Sequence, residues 1–424
     1  MKPVPLLGSQ DSNSRLRISR TQRGTPHTCH LVWSLSVLFL ALPLRSLAEP
    51  LQWGFWEYTT NGATANITRY LGDHYGAAGD VTVPNSIYGC PVTSIADYAF
   101  GFCKSMTNVT IPFGVTSIGV MAFNYCANLR GISIPNSVQS IGFECFEFCS
   151  NLCTIQIPYS VTNIGERLCF ICNSLTRITV DPQNAFYSDL DGVLFDKYQT
   201  LLLDYPIGNG IRTYTVPSGV ASIGPYAVYG ATNLANVVVL GNLTNVGIGA
   251  FCGCTSLSEF TFPRSLIAIQ GGAFYSTGLT CISLPASLTS LGDAAFCRCY
   301  NLTNIYFEGN APSVVLTAFG GDTNTTVYYL PGTTGWGSTF AGVPAVLWNP
   351  QVQTSDGEFG LNANGFGFNI TGTANISIAV EACADPTTRN WTSVQACTLT
   401  NGSIYFSDSQ WTNWPTRFYR IRPP

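Results

Sequence analysis

Apolar and polar positions along the middle of the chain repeat with a period of 23 residues. The motif L-x-x-I-x-I-P at Leu129–Pro135 recurs at Leu152–Pro158, and again as L-x-x-I-x-V-D at Leu175–Asp181. The last two apolar residues of each motif alternate, as in a strand that turns its apolar side chains inward. Pro135 has no N–H group, so it is expected to end the strand. The pattern predicts one strand in each 23-residue unit.

A second apolar signal follows each strand motif. Val138-x-x-Ile141 predicts a short second strand, and Gly142 is expected to permit a tight corner. A small residue and then a phenylalanine come next, at Cys145-Phe146 and at the equivalent positions, and a short helical turn is expected to direct this pair into the core. Each unit is too small to bury its apolar side alone, so neighbouring units must stack. A period in this range with this spacing is typical of a leucine-rich-repeat solenoid.

Irregular segments interrupt and flank the repeats. Residues 49–80 are expected to form an N-terminal cap, with a hairpin that turns at Asn61-Gly62. The solenoid is expected to span residues 81–348, with five extra residues in its first coil. A longer insertion, at about residues 183–207, is expected to form a β-hairpin that bulges from the solenoid.

The repeat stops after Trp348. Residues 349–364 are rich in Gly, Ser and Asn and are interpreted as a linker. Residues 365–424 are expected to form a small antiparallel β-sandwich-like domain. Its five predicted strands are Phe366–Thr371, Asn375–Cys383, Trp391–Thr398, Ser403–Phe406 and Arg417–Ile421. The predicted fold class is therefore mainly β, a solenoid followed by a sandwich-like domain.

Residues 1–48 have the composition of a secretory signal peptide. Basic residues precede the apolar run Leu31–Leu44, and Ser46-Leu47-Ala48 offers a cleavage site before Glu49. An uncleaved membrane anchor is the alternative interpretation, although the run is short for a bilayer span. Removal of the leader, which holds six basic residues and one acidic residue, would leave 13 basic and 22 acidic side chains. A mature chain of this charge, without a membrane span, disfavours nucleic acid as a partner.

The fixed positions from Leu129 to Cys149 closely resemble the BspA-like, or Treponema pallidum-type, bacterial leucine-rich repeats. That pattern is L-x-x-I-x-I-P-x-x-V-x-x-I-G-x-x-A-F-x-x-C, and the likeness extends over about residues 53–348. The segment Asp191–Phe195 also resembles an insertion common in that family, whereas Cys169 departs from the Phe position. The resemblance implies a secreted or surface-exposed protein that acts in adhesion or protein binding.

Cysteine is the one residue type here that suggests site chemistry. Of the 16 cysteines, six share one position of the repeat, namely Cys103, Cys126, Cys149, Cys172, Cys254 and Cys299. We interpret them as small buried apolar side chains rather than as redox or metal groups. Cys252 and Cys297 are expected to point outward. A disulfide between Cys383 and Cys397, in adjacent predicted strands, is a further candidate.

Neither a catalytic site nor a cofactor site is predicted. Outside the leader the only histidine is His74, and nothing near it in sequence suggests a catalytic triad. We therefore expect a protein without catalytic residues, metal or cofactor.

The best candidate for binding is the outward row of the first strands, which the solenoid is expected to present as a concave face. The candidate contacts are Thr110, Arg130, Ser133, Gln156, Arg177, Thr179, Arg212, Thr215, Thr261, Ser283 and Tyr306. A simpler interpretation is that Thr and Ser merely suit an exposed strand. The expected partner is a protein or glycan of a cell or matrix surface. One alternative is a polysaccharide-binding protein that uses Trp391, Trp411 and Trp414, and another is an accessory module of a larger extracellular complex.

Overall fold

A computed structural model describes residues 50–77, 79–315, 317–363, 365–388 and 390–424. The predicted leader and its cleavage site at Ala48 and Glu49 lie outside these residues. The N-terminal strands are β1 (Leu51–Trp53), β2 (Trp56–Thr60) and β3 (Ala65–Tyr70), which form an antiparallel meander. Strand β3 then pairs in parallel with residues 92–95 of the first coil. The meander therefore covers the N-terminal end of the apolar core.

The first part of the solenoid alternates between two sets of strands that form separate sheets, here called the long strands and the short strands. They are β4 (Gly79–Thr82), β5 (Ser86–Ile87), β6 (Cys90–Ile95), β7 (Met106–Thr110), β8 (Ser117–Ile118), β9 (Gly131–Ser133), β10 (Ser140–Ile141), β11 (Thr154–Ile157), β12 (Asn163–Ile164) and β13 (Arg177–Val180). Strands β5 and β6 form an antiparallel hairpin, which accommodates the extra residues of the first coil.

After the insertion the same alternation resumes. The insertion holds β14 (Tyr187–Leu190), β15 (Val193–Asp196) and β16 (Leu201–Asp204). The second part holds β17 (Thr213–Val216), β18 (Ser222–Ile223), β19 (Asn236–Val239), β20 (Asn245–Val246), β21 (Glu259–Phe260), β22 (Ala268–Ile269), β23 (Cys281–Leu284), β24 (Ser290–Leu291), β25 (Asn304–Phe307), β26 (Ser313–Val314), β27 (Thr326–Tyr329), β28 (Thr339–Phe340) and β29 (Val343–Leu347).

Each coil pairs with the next in parallel and in register with the sequence repeat. Ile155 lies opposite Ile178 on the long-strand side, and Ile141 lies opposite Ile164 on the short-strand side. Like residues therefore stack in columns, and the column of Phe100, Phe123 and Phe146 is wholly buried, with ring centroids 4.8 and 5.6 Å apart. The solenoid predicted from the periodicity is confirmed.

The predicted helical turn is wrong. The third side of each coil, here called the turn side, is a pair of tight turns, and no residue of the described solenoid is helical. Met121 and Tyr125 have φ values of 51° and 57°, which a right-handed helix does not permit. Phe123 N–H instead donates to the carbonyl of Cys145 in the next coil, at 2.9 Å. An α-helix would satisfy these groups internally, and it is about 10 Å wide, too wide for coils spaced at strand distance.

Gly142 does not serve the role expected from the sequence. Its φ is not positive, so the corner does not require glycine for conformational reasons. A Cβ atom at Gly142 would lie 2.4 Å from the carbonyl carbon of Gly119 in the preceding coil. The glycine therefore permits close approach of two backbones.

The insertion lies within the stack of coils rather than bulging from it. Strands β14, β15 and β16 form an antiparallel meander, and β16 then pairs in parallel with β18. Val193, Phe195 and Leu202 are buried in the core of the second part of the solenoid. The insertion therefore occupies a position in the stack that a regular coil would otherwise fill.

The C-terminal region consists of two antiparallel sheets. Its strands are β30 (Gln351–Val352), β31 (Gly360–Asn362), β32 (Gly365–Thr371), β33 (Ser377–Cys383), β34 (Thr392–Thr398), β35 (Ser403–Asp408) and β36 (Phe418–Arg422). Two 3-10 turns, Pro386–Thr388 and Trp411–Asn413, connect them. Phe368 and Phe406 of one sheet pack against Ile378 and Val380 of the other. The linker interpretation of residues 349–364 is wrong, because β30 and β31 both pair with β32.

Candidate functional site

The outward side chains of the long strands form the row that was expected from the sequence, here called the strand face. Register places Thr110 beside Ser133, Gln156 beside Thr179, and Thr215 beside Val238. The exposed members are Thr110, Ser133, Gln156, Thr215, Thr261 and Ser283, whereas Thr179 and Val238 are half-buried. The row arises because the strand period of two places every inward Ile or Val next to an outward polar residue.

Three arginines border this row, and all are exposed. Arg130 stands before β9, Arg177 opens β13, and Arg212 stands before β17. The four ion pairs of the described residues involve other arginines, and none includes these three. Their guanidinium groups are therefore available to a partner, and each offers a planar fork of donors.

The row is not continuous, which the sequence did not indicate. Long strands β13 and β17 do not pair, because the turn at Asp191-Gly192 lies between the two parts of the solenoid. Ile178 N–H donates to the carbonyl of Gly192 at 2.8 Å, and Val180 N–H donates to the carboxylate of Asp189 at 2.7 Å. Asp191 is exposed, and its neighbour Gly192 lies against Arg177.

Tyr306 is not a surface residue, so its inclusion among the binding contacts is wrong. Its side chain points away from the solenoid core, but the C-terminal region covers it and leaves it only 3% exposed. Its ring lies 4.9 Å from Tyr328 and 6.2 Å from Trp348, and all three belong to the hydrophobic cluster of the C-terminal region. Trp348 Nε1–H also donates to the carbonyl of Ser377 at 3.0 Å. The C-terminal region thus closes the far end of the strand face.

The candidate disulfide between Cys383 and Cys397 is also wrong. Strands β33 and β34 are neighbours as predicted, but the register places Cys397 opposite Ile378, whereas Cys383 lies opposite Phe418 of β36. The two cysteines are therefore separated by about five residues of strand, roughly 17 Å. A disulfide requires Cα atoms less than about 7 Å apart.

The repeated cysteines are buried as predicted, and the structure gives them a role. Cys126 Sγ–H donates to the carbonyl of Phe100, Cys149 to that of Phe123, and Cys172 to that of Phe146, at 3.0–3.1 Å. Each thiol thus links its coil to the preceding one. Burial raises the pKa of Cys254 and of Cys299 to about 12, so both carry their donor proton. Cys297 is buried, contrary to expectation, and Cys252 is half-buried.

The described residues hold no group of three or more side chains arranged to bind a metal ion. Three buried carboxylic acids were not singled out from the sequence, because one acid among apolar residues has no distinctive spacing. Burial raises the pKa of Glu147, Asp204 and Asp322 to about 7 in each case. They lie in different coils, and among the described residues none is hydrogen-bonded to a hydroxyl or thiol group, so they do not form a catalytic constellation.

The tryptophans of the alternative site carry cations on their rings. The guanidinium carbon of Arg420 lies 4.3 Å from the ring centroid of Trp391, and that of Arg417 lies 5.4 Å from Trp414. Trp414 is 48% exposed.

Aromatic rings also stack on the turn side of the solenoid. The ring centroids of Phe102, Tyr125 and Phe148 lie 5.0 and 4.2 Å apart from one coil to the next. Their faces contact one another, so they do not offer a flat sugar platform.

The repeat architecture and the sequence pattern define one class of protein, a bacterial-type leucine-rich-repeat solenoid. The model of the BspA type leucine rich repeat region matches residues 80–190 and 211–337 in six copies, which is more than half of the chain. The chain belongs to this family. Comparison with curated proteins gave no match.

Several solved bacterial leucine-rich-repeat structures are similar to this chain. The pneumococcal vaccine antigen PcpA matches with a TM-score of 0.54 and 19% identity, over 67% of this chain and 94% of that one. A leucine rich cell surface protein from Faecalibacterium prausnitzii matches with a TM-score of 0.36 and 24% identity, over 66% and 94%. A T. pallidum leucine-rich-repeat protein matches with a TM-score of 0.33 and 25% identity, over 60% and 91%. The likeness to PcpA is a likeness of fold. Among the residues that the structure describes, no helix is long and apolar enough to cross a bilayer.

Proposed function

We propose that the protein is an exported, non-enzymatic binding protein that presents its strand face to a macromolecular partner. The observation that carries the proposal is the row of exposed, mostly hydroxylated side chains bordered by three arginines without ion-pair partners. The row extends over several coils on both sides of the Asp191-Gly192 turn, whereas small ligands bind in concave pockets. A large surface therefore suits it better than a small molecule.

The partner that we favour is a protein or glycan on a cell or matrix surface. A nucleic-acid partner is disfavoured, because a mature chain starting at Glu49 would carry 13 basic and 22 acidic residues. Export is part of the proposal and has its own test. N-terminal sequencing of the secreted protein should begin at Glu49, and a mature chain that retains Leu31–Leu44 would indicate a membrane anchor instead.

The binding test uses substitutions of the strand-face residues that the structure leaves exposed. Tyr306 is removed from this set, and Arg130, Arg177 and Arg212 remain. A triple substitution of these arginines by alanine should leave the fold intact, since all three side chains are exposed. The matched control replaces Arg69, Lys104 and Arg264, which are also exposed but do not border the row, so both variants lose the same charge. Residues 49–424 and both variants would be applied to arrays of matrix proteins and glycans.

The second candidate is polysaccharide binding by the C-terminal region, which the exposed ring of Trp414 favours. Trp414→Ala should then abolish any signal on the glycan array, while the triple arginine variant should retain it. The opposite pattern supports the strand face.

A further inference from the structure

The two parts of the solenoid meet at a joint where the regular ladders are interrupted. The short-strand sheet of the first part ends at β12, and the next short-strand sheet begins within the insertion at β14. The long-strand sheets also end at β13 and begin again at β17. Long strands are unpaired between β9 and β11 and between β21 and β23 too, but the short strands remain paired there, so among the described coils both ladders break only at the joint. The apolar core divides at the same place, since Leu194 packs with the first part whereas Val193 and Phe195 pack with the second. The joint therefore lacks the strand pairing that connects neighbouring coils elsewhere in the described stack.

On the turn side, Asp204 and Tyr205 fill the gap. Between regular coils three amides of one coil donate to carbonyls of the next, as Glu144, Phe146 and Phe148 do. At the joint the equivalent middle amide, that of Cys169, donates to the side-chain carboxyl of Asp204 at 3.0 Å. Tyr205 N–H then donates to the carbonyl of Ala227 at 2.8 Å. One carboxyl group thus connects the turn sides of the two parts.

Two cavities flank this connection. The larger, of about 90 Å³, is lined by Asp204 and by residues that include Leu168 and Leu194, and the smaller, of about 10 Å³, is also lined by Asp204. A void of the larger size has room for several water molecules. Water therefore has a place to enter beside Asp204 if the carboxyl group requires hydration.

The surroundings of Asp204 offer its ionised form little compensation. Arg167 is the only cation that lines the cavities, and its guanidinium lies 2.6 Å from Glu144 and stacks on Phe170. The other titratable groups that line them are Glu166, Cys169, Tyr205, Tyr226 and Tyr229, which carry no positive charge. Burial raises the pKa of Asp204 to about 7, against an ordinary value of 3.8.

We propose that Asp204 is a proton-dependent latch between the two parts of the solenoid. In the protonated form it remains buried and accepts the hydrogen bond from Cys169, which keeps the turn side of the joint closed. In the ionised form the buried carboxylate lacks a cation, so it draws water into the cavities and the joint opens locally. Because the pKa of Asp204 is raised, the closed form of the joint is favoured at acidic pH and is lost as the pH rises through 7. The latch does not depend on any partner.

The buried thiol of Cys169 reports on the joint, because its own amide makes the connection to Asp204. We would alkylate the folded full chain with iodoacetamide across pH 6–8.5 and quantify each cysteine by mass spectrometry. The readout is the labelling rate of Cys169 divided by that of Cys149 in the first part and of Cys254 in the second. Both references are buried thiols, so the ratio removes the general increase of thiolate with pH.

The latch predicts that this ratio rises roughly tenfold over that range with a midpoint near pH 7, following the ionised fraction of Asp204. Asp204→Asn keeps an oxygen that can accept from Cys169 and cannot ionise, so its ratio should stay constant. Asp322→Asn removes a different buried carboxyl and should behave as the parent. A flat ratio in the parent, or a parent-like rise in Asp204→Asn, would overturn the proposal. If Asp204→Asn fails to give the parent's far-UV spectrum, the pH profile of the parent decides alone.

Discussion

Asp322 occupies the position that Cys126, Cys149 and Cys299 occupy in earlier coils. The N–H group of Asp322 donates to the carbonyl of Phe319, three residues earlier, and each of these cysteines makes the same backbone hydrogen bond. The side chain of Asp322 is a carboxyl group instead of a thiol. It is only 5% exposed, and among the described residues neither carboxyl oxygen has a hydrogen bond of ordinary geometry. Burial raises its pKa to about 7, and the nearby backbone of Cys299 opposes this only in part.

The substitution Asp322→Cys would replace this carboxyl group by the thiol that other coils carry at the same position. The wild-type carboxyl prefers to be protonated in the folded protein, with a folded pKa near 7 against an ordinary 3.8. Its contribution to stability is therefore complete below about pH 4 and is lost progressively up to pH 7. A shift of about three units corresponds to roughly 4 kcal/mol, and partial hydration reduces this to about 2–4 kcal/mol. The cysteine variant avoids that loss.

Guanidinium unfolding of both chains at several pH values between 4 and 8 measures this difference. The variant should gain about 2–4 kcal/mol relative to wild type between pH 4 and 7.5, and little thereafter. Asp204 and Glu147 titrate in both chains, so their effects cancel in the difference. A difference in unfolding free energy that stays constant with pH would refute the assignment of a neutral, buried Asp322.

Three further predictions concern other contacts. Gly142→Ala should cost more than about 2 kcal/mol because its Cβ would lie 2.4 Å from the Gly119 backbone, whereas Gly219→Ala, with its nearest atom at 3.6 Å, should be close to neutral in thermal unfolding. Cys149→Ala should cost about 1–2 kcal/mol in urea unfolding, through a small cavity and the lost bond to Phe123. Tyr306→Ala should cost about 3–5 kcal/mol in the same assay because the ring is buried under the C-terminal region, while Tyr306→Phe should cost nothing because its hydroxyl has no hydrogen-bond partner among the described residues. Equal effects of the two Tyr306 substitutions would contradict this burial.

Repetition made the solenoid predictable. A 23-residue period fixes which side chains face inward, because each coil must place the same positions over those of its neighbour. It also fixed the outward row at Thr110 and Ser133, which lie beside each other as expected. The turn side was misjudged because Phe146 and Cys149, three residues apart, suit a helical turn as well as a pair of tight turns. Bulky residues such as Tyr125 at positive φ gave no warning, since glycine is the usual sign of that conformation.

The remaining errors concern contacts that local sequence does not encode. The period shows that Tyr306 points out of the solenoid, but it cannot show that a later region covers that side chain. Alternation shows that Cys383 and Cys397 lie in neighbouring strands, but it does not set the register between them. The interruption of the strand face at Asp191 depends on where the insertion packs, which follows from burial of Phe195 and Leu202 rather than from any motif.

The central claim is that the strand face binds the partner, and one affinity measurement tests it most directly. Residues 49–424 would be titrated by surface plasmon resonance against the strongest array ligand, beside the triple variant of Arg130, Arg177 and Arg212 and its matched control. The account predicts at least a tenfold weaker affinity for the strand-face variant, about 1.4 kcal/mol or more, and an unchanged affinity for the control. Unchanged affinity in the strand-face variant, with a folded far-UV spectrum, would contradict the account.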